Sequence, residues 1–357
     1  MDNEEEKVTK ELSSSDKKCP TCGSELSFDP STKKLKCCSC GNFYEFDLVL
    51  SNEKHDLDLE QQNISTENWA KESKLVKCNS CGANIMINGL AITQECPYCG
   101  SKYIVETKEV PGLKPDCVVP FAFNQEDAKV KFKQKIKGKF FVPHKLKKEF
   151  SEAEVKGIYI PAFSFDGETF SHYTGTVQIA KQVKTKDGYR TVYETRPISG
   201  TYSYDYCNLL IESSTQIDDS QLSSIIPYNL HESYAYNNDF LRGYYVEQYV
   251  DTIKTCHDLA VNKVASDIKS GIGSKHSGTV TSLFVDTNYS NEKYNYQLLP
   301  LYYVSFKYKD KQYTALMNGQ TGKVGKGLPI SKLKVTFVVI IVLILAALVV
   351  YFIMKSE

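Results

Sequence analysis

Residues 19–41 read CPTCGSELSFDPSTKKLKCCSCG, and residues 78–100 read CNSCGANIMINGLAITQECPYCG. An offset of 59 positions carries Cys19, Cys22, Cys37 and Cys40 onto Cys78, Cys81, Cys96 and Cys99, with 14 residues between the two CxxC units of each copy. Cys38 falls on Pro97 and stands outside the repeat. A CxxC turn sets two sulfurs on one side of a tight loop, and two such turns facing each other make the tetrahedral sulfur site that Zn²⁺ accepts. The glycine after each CxxC supplies the positive φ such a turn needs. The intervening residues suit a β-hairpin, so each copy reads as a zinc ribbon. Four sulfurs leave the metal no open position, which makes both zinc ions structural. Iron, or disulfides in an oxidising compartment, are the alternatives. The small apolar sets Leu26, Phe28, Leu35 and Ile85, Ile87, Ile92 are too few to fold such short segments unaided, so metal should supply much of the folding free energy. Cys38, Cys117, Cys207 and Cys256 have no partner at ligand spacing and read as ordinary reduced cysteines.

The second constraint is VTFVVIIVLILAALVVYFIM, residues 335–354, which carries no charge. As a helix these residues span roughly 30 Å, the hydrocarbon thickness of a bilayer. No apolar segment resembling a signal peptide opens the sequence, so the expectation is a protein anchored by its tail. Lys323, Lys326, Lys332 and Lys334 precede the span and Lys355 follows it. The positive-inside rule then sets the N-terminal part in the cytoplasm, as a single-pass protein of the cell membrane. Thiolate metal sites need a reducing compartment, which points the same way.

Between these features the chain is β-rich. Tyrosine is common, at 24 residues, and Trp69 is the only tryptophan. Residues 1–18 are polar and read as disordered; the ribbons occupy 19–46 and 75–106, joined by a loose linker over 47–74 with a short helix seating Trp69. From Lys114 the pattern changes. Asn124 is an N-cap ahead of a helix whose Ala128, Phe132 and Ile136 recur every four residues. Residues 157–206 alternate and carry Asp-Gly turns at 166–167 and 187–188, which predicts an antiparallel meander. A short helix is expected at 216–226. A longer one is expected from 245 to 269, with Val246, Val250, Ile253, Ala260, Val264 and Ile268 on one stripe and Gly271 past its end. Strands follow, with hairpin turns at Asp310-Lys311 and Asn318-Gly319. The expected fold class is α+β and multidomain: two tandem four-cysteine zinc ribbons, a mainly antiparallel α+β body over 114–330, and one C-terminal transmembrane helix.

The net charge is zero, 43 basic against 43 acidic residues, which gives no global case for a nucleic-acid binder. One segment is locally basic, with Lys129, Lys131, Lys133, Lys135, Lys137 and Lys139 at alternate positions. It reads as a solvated helix face, or as a contact for anionic lipid or nucleic-acid phosphate; a tethered membrane favours lipid. Lys33, Lys34, Lys36, Phe43 and Tyr44 in the first ribbon, and Lys102 and Tyr103 in the second, are the basic and aromatic residues a nucleic acid would use. Catalytic patterns are absent: no GxxxxGK[ST], GxGxxG, HExxH or GxSxG occurs, and the six histidines are dispersed.

The two CxxCG repeats, KPDCVVPF (114–121), KGKFFVP (137–143), GIYIPAFSFD (157–166), the stretch from Leu298 to Ser331 and the apolar end together resemble a family of bacterial zinc-ribbon membrane proteins. Its members are described as of the transcription-factor-IIB type, and are commonly labelled primosomal protein N′ or replication-restart helicase A. The resemblance covers about residues 19–331. In this family the second CxxC usually carries a proline where Cys38 stands here. A helicase needs a phosphate loop, which this chain lacks. Some relatives resemble membrane partners in phage-shock envelope stress, which implies an adaptor with a protein partner; a nucleic-acid-binding role is the alternative.

Overall fold

The computed structural model describes residues 18–57, 73–88, 95–101, 104–107, 113–149, 153–185, 188–214, 216–217, 219–309 and 311–356. In chain order the strands and helices are β1 (Leu26–Asp29), β2 (Lys34–Cys37), β3 (Phe43–Tyr44), β4 (His55–Asp56), β5 (Ser73–Cys78), β6 (Asn84–Asn88), β7 (Ile104–Thr107), β8 (Cys117–Val118), α1 (Gln125–Gly138), α2 (His144–Glu149), β9 (Glu154–Thr185), β10 (Gly188–Glu212), α3 (Asp219–Ile225), β11 (Tyr234–Ala235), β12 (Tyr245–Glu247), α4 (Ile253–Lys275), β13 (Thr279–Tyr308), β14 (Lys311–Asn318) and α5 (Lys332–Ser356). This is an α+β fold, mainly antiparallel, with five α-helices among the described residues.

Three long strands organise it. β9 lies between β10 and β13, antiparallel to both. Residues 157–165 of β9, GIYIPAFSF, are buried at every position. A continuous apolar run of this kind is what a central strand covered on both faces requires. Beyond Asp166 the pattern alternates: Glu168, Phe170 and His172 face solvent while Thr169, Ser171 and Tyr173 are buried. The buried side is covered by α4 through Cys256, Ala260, Val264, Ile268 and Ile272. Ile268 is fully buried, so Ile268→Ala should cost about 2–5 kcal/mol. A urea titration would show it as a lower midpoint at unchanged slope; an unchanged midpoint would mean that α4 is not part of the core.

The Asp-Gly pair at 166–167 is not a turn. β9 runs through it: Gly167 pairs with Tyr206 of β10 and Asp166 with Lys293 of β13, each beside a register shift in the neighbouring strand, and Asp166 accepts hydrogen bonds from Lys54 and from the backbone N–H of Asn208. Gly167 is required because a Cβ would collide with the ring of Tyr206. The long helix also differs from expectation. Thr252 caps α4 by accepting from the Thr255 N–H, and Val246 belongs to β12, which is pinned between β9 and β6. The helix continues past Gly271 to Lys275, since the missing side chain makes room for the Tyr202 ring. The β13–β14 hairpin pairs Tyr308 with Lys311, so Lys311 belongs to β14 and not to the turn read at Asp310-Lys311. α1 matches its pattern: Asn124 accepts from the Asp127 N–H at 2.8 Å, and Ala128, Phe132 and Ile136 are buried.

Residues 47–57 lie along the body instead of hanging free. β4 pairs with β13, and the Ser51 N–H donates to Ser233 O at 3.0 Å. Lys54 is buried, donating to Asn208 Oδ1 (2.9 Å), to Ser164 Oγ (3.2 Å) and to Asp166. Asn52 accepts from Asn295 and Gln297. A buried ammonium without these partners would be costly, so the network fixes where the segment lies. Residues 58–72 of the linker, Trp69 among them, and residues 1–17 fall outside the described residues, and the last two linker positions already belong to β5.

Candidate metal centres and the apolar helix

The four CxxCG units make one local structure four times. In each, the glycine N–H donates to the carbonyl of the first cysteine: Gly23 to Cys19 (2.8 Å), Gly41 to Cys37 (3.1 Å), Gly82 to Cys78 (2.9 Å) and Gly100 to Cys96 (2.9 Å). The glycines have φ of 73°, 74°, 78° and 70°, the left-handed conformation that side chains disfavour. β1 and β2 join the first pair of turns; in the second copy β5 leads into the turn at Cys78–Gly82 and β6 leaves it, paired antiparallel.

The geometry gathers Cys19, Cys22, Cys37 and Cys40 into one group and Cys78, Cys81, Cys96 and Cys99 into another, with the sulfurs of each group within 4.8 Å of one another. The nearest pairs are Cys19–Cys40 at 3.6 Å, Cys22–Cys37 at 3.5 Å, Cys78–Cys99 at 3.6 Å and Cys81–Cys96 at 3.7 Å. A disulfide needs about 2.05 Å. Sulfurs at about 2.3 Å from a tetrahedral zinc lie about 3.8 Å apart, so the spacing fits a metal ion. Cys38 is exposed and turns toward Ser27 Oγ at 3.7 Å.

Protonation makes the same point. Against a burial effect that raises it, hydrogen bonds from Tyr44 and from the backbone N–H groups of Cys22 and Thr21 hold Cys19 at about 6. Likewise the N–H groups of Cys81 and Ser80 hold Cys78 at about 7 against burial. Cys40 has a backbone hydrogen bond from Asn42 that lowers it, yet burial and its neighbouring thiols push it up to about 12. Burial pushes Cys96 up to about 11, and Cys81 higher still. Without a cation, four thiolates at this spacing cannot all ionise; a dication removes the conflict.

Each centre is held by residues that spacing alone did not mark as structural. Tyr44, a candidate base-stacking residue by sequence, is buried; its hydroxyl lies 3.1 Å from Cys19 Sγ and 2.8 Å from Thr21 Oγ1. Phe28, beside the first centre, packs edge-on against Phe240 at 5.2 Å, and its N–H donates to Arg242 O at 3.0 Å. Tyr98, inside the last CxxC, donates to buried Glu247 of β12, which also accepts from Ser214 Oγ at 2.7 Å. Gln216 Nε2 donates to Cys81 O at 3.0 Å. The strands of the second centre thus continue the main sheet through β12, and the first centre docks on the body by its aromatic face. A tyrosine within or just beyond a CxxC unit was the available signal.

The other sequence candidates separate. Lys33 donates to Tyr234 Oη at 2.9 Å, Lys34 pairs with Glu45 at 2.8 Å, and Lys36 lies over the Phe43 ring. Lys102 and Tyr103 lie outside the described residues. On α1, Lys133, Lys135 and Lys137 are exposed and Lys129 is half-buried. Lys131 lies over the Phe123 ring. Lys139, beyond the helix, donates to the carbonyls of Val324 (3.1 Å) and Gly325 (3.4 Å), and burial lowers its pKa. His257, next to Cys256, pairs with Glu292 at 2.8 Å.

α5 is long and apolar enough to cross a membrane, and none of its apolar window is buried among the described residues. Its first turn is fastened to the body. The Ser331 N–H donates to Phe141 O at 2.8 Å, and Lys334 Nζ donates to the carbonyls of Phe140 (2.7 Å) and Val142 (3.0 Å).

No family profile matches the chain, and no solved structure matches it. The chain is similar to a Bacillus subtilis (strain 168) protein that bears the description "Uncharacterized protein YdjG". The two are 28% identical over 320 residues, covering 89% of this chain and 91% of that one.

Proposed function

We propose that this protein is a non-enzymatic membrane adaptor. Two structural zinc ions would hold the four-cysteine centres, α5 would cross the cell membrane once, and the N-terminal region would present a rigid surface to a protein partner on the cytoplasmic face. One observation carries the membrane part of the reading: among the described residues, nothing covers the apolar window of α5. A helix apolar on every side needs an apolar surround, and a bilayer supplies one. The lysines before the apolar run of 335–354 support the cytoplasmic orientation. Closed four-sulfur sets support a structural role for the metal. Nucleic-acid binding is the weaker reading, because Lys33, Lys34, Lys36 and Tyr44 are engaged within the fold. Envelope stress is the setting that the sequence resemblance suggests.

The test is cross-linking in intact cells followed by purification of the full chain from membranes. A protein recovered in stoichiometric amount, without nucleic acid and without nucleotide hydrolysis, is the expected outcome. Nucleic acid that rebinds the purified protein and dissociates steeply with salt would replace this reading with the nucleic-acid one. Hydrolysis lost on a point change in this chain would end the non-enzymatic claim.

A further inference from the structure

The segment between α1 and α2 carries two adjacent phenylalanines that the fold does not cover. Phe140 is 56% exposed and Phe141 44%, with ring centroids 5.3 Å apart. Their neighbours Val142 and Leu146 are buried, so the loop is anchored while its two largest apolar side chains are left out. The Lys334 ammonium sits over the Phe140 ring at 5.3 Å. The carbonyls of Phe140, Phe141 and Val142 all receive hydrogen bonds from Ser331 or Lys334. The loop therefore sits at the level where α5 leaves the body. The chain around it has no acid between Asp127 and Glu149, while lysines occupy nine positions from 129 to 148.

We infer that Phe140 and Phe141 form a second, interfacial membrane contact that dips into the leaflet α5 enters, with exposed Lys133 and Lys137, one turn apart on α1, over anionic headgroups. The inference rests on α5 crossing the membrane. Paired aromatics beside a basic helix are what the interface favours: rings settle at headgroup depth, and lysines are drawn to anionic lipid within a Debye length. Two contacts restrict the tilt of the body against the bilayer, where α5 alone would leave it free to swing.

Tryptophan fluorescence in full-length protein tests this. Trp69 is replaced by Phe, and single tryptophans are introduced as Phe140→Trp, Phe141→Trp, Leu343→Trp within α5, and Tyr189→Trp on the exposed β10. Each is reconstituted in vesicles whose lipids carry bromine high on the acyl chains. The tryptophans at 140 and 141 should be blue-shifted and lose emission to the brominated lipid, more in anionic than in zwitterionic vesicles. The one at 343 should be quenched and the one at 189 should not. Quenching at 343 without quenching at 140 or 141 overturns the inference and leaves the anchor standing. No quenching at 343 removes the anchor itself, and the inference with it. Equal quenching at 140 in both kinds of vesicle removes the lysines from the contact.

Discussion

Purified full-length protein should carry two zinc ions per chain. Cys37→Ser should reduce the content to one, whereas Cys38→Ser should leave it at two, although the two residues are adjacent. Only the Cys37 sulfur belongs to the four that converge, 3.5 Å from Cys22; that of Cys38 points away toward Ser27. The effect on folding should be large but local. Structural zinc contributes about 10–16 kcal/mol of apparent binding free energy in small metal-dependent folds, as much as the whole stability of many domains. The first centre contributes few apolar residues, Leu26, Phe28 and Leu35, and these pack into one cluster with Phe240 and the body. Loss of its metal should free β1 to β3 from Phe240 while the three long strands persist. Limited proteolysis would show cleavage within 19–46 and an intact remainder. Elemental analysis decides the stoichiometry: a ratio of one, or equal loss from both variants, contradicts two independent centres. Because protons compete for thiolates, acidification should release the metal.

Deleting residues 335–357 should move the protein from the membrane fraction to the soluble one. The intact protein should resist extraction by salt and yield only to detergent, since insertion of an apolar helix of this length is effectively irreversible and surface lysines bind reversibly. The truncated chain should keep weak, salt-sensitive binding to anionic vesicles. Changing Lys129, Lys133 and Lys137 to Gln should weaken that binding by about 3 kcal/mol, at roughly 1 kcal/mol for each lysine near the surface. The body should survive the change, because Ala128, Phe132 and Ile136 carry the packing, while Lys133 and Lys137 are exposed and Lys129 is half-buried. Retention of the truncated chain in the membrane at high salt would show a second strong anchor. Failure to bind anionic vesicles at low salt would leave the lysines as a solvated face.

The features legible in the sequence were those fixed by local chemistry. The eight converging cysteines, the four positive-φ glycines, the cap and stripe of α1 and the apolar run of α5 each depend on residues close in the chain or on a strict spacing. What escaped depends on partners far away. Asp166-Gly167 has the composition of a turn, but residues 54, 206 and 208 hold it inside a strand. Val246 fits the stripe of a helix, yet a two-sided strand position claims it. Asn52 and Lys54 read as polar linker until the sheet supplies Asn295, Gln297 and Asp166 as partners. The separate domains suggested by spacing are joined for the same reason: a three-residue strand, β12, bridges the second four-cysteine unit to the body.

The lengths of the three central strands differ at one end. β13 begins opposite Gln178, while β9 and β10 continue together to Thr185 and Gly188. Beyond that point the ribbon has two strands, and its side chains, Val183, Tyr189, Val192 and Tyr193 among them, are exposed. Two strands alone are marginally stable in water, so this outer part can separate and re-form without disturbing anything below it. Its amide protons should exchange with solvent ahead of those in the shared core. It is also where a fluorophore, an epitope or a few added residues can be carried at least cost to the rest of the molecule.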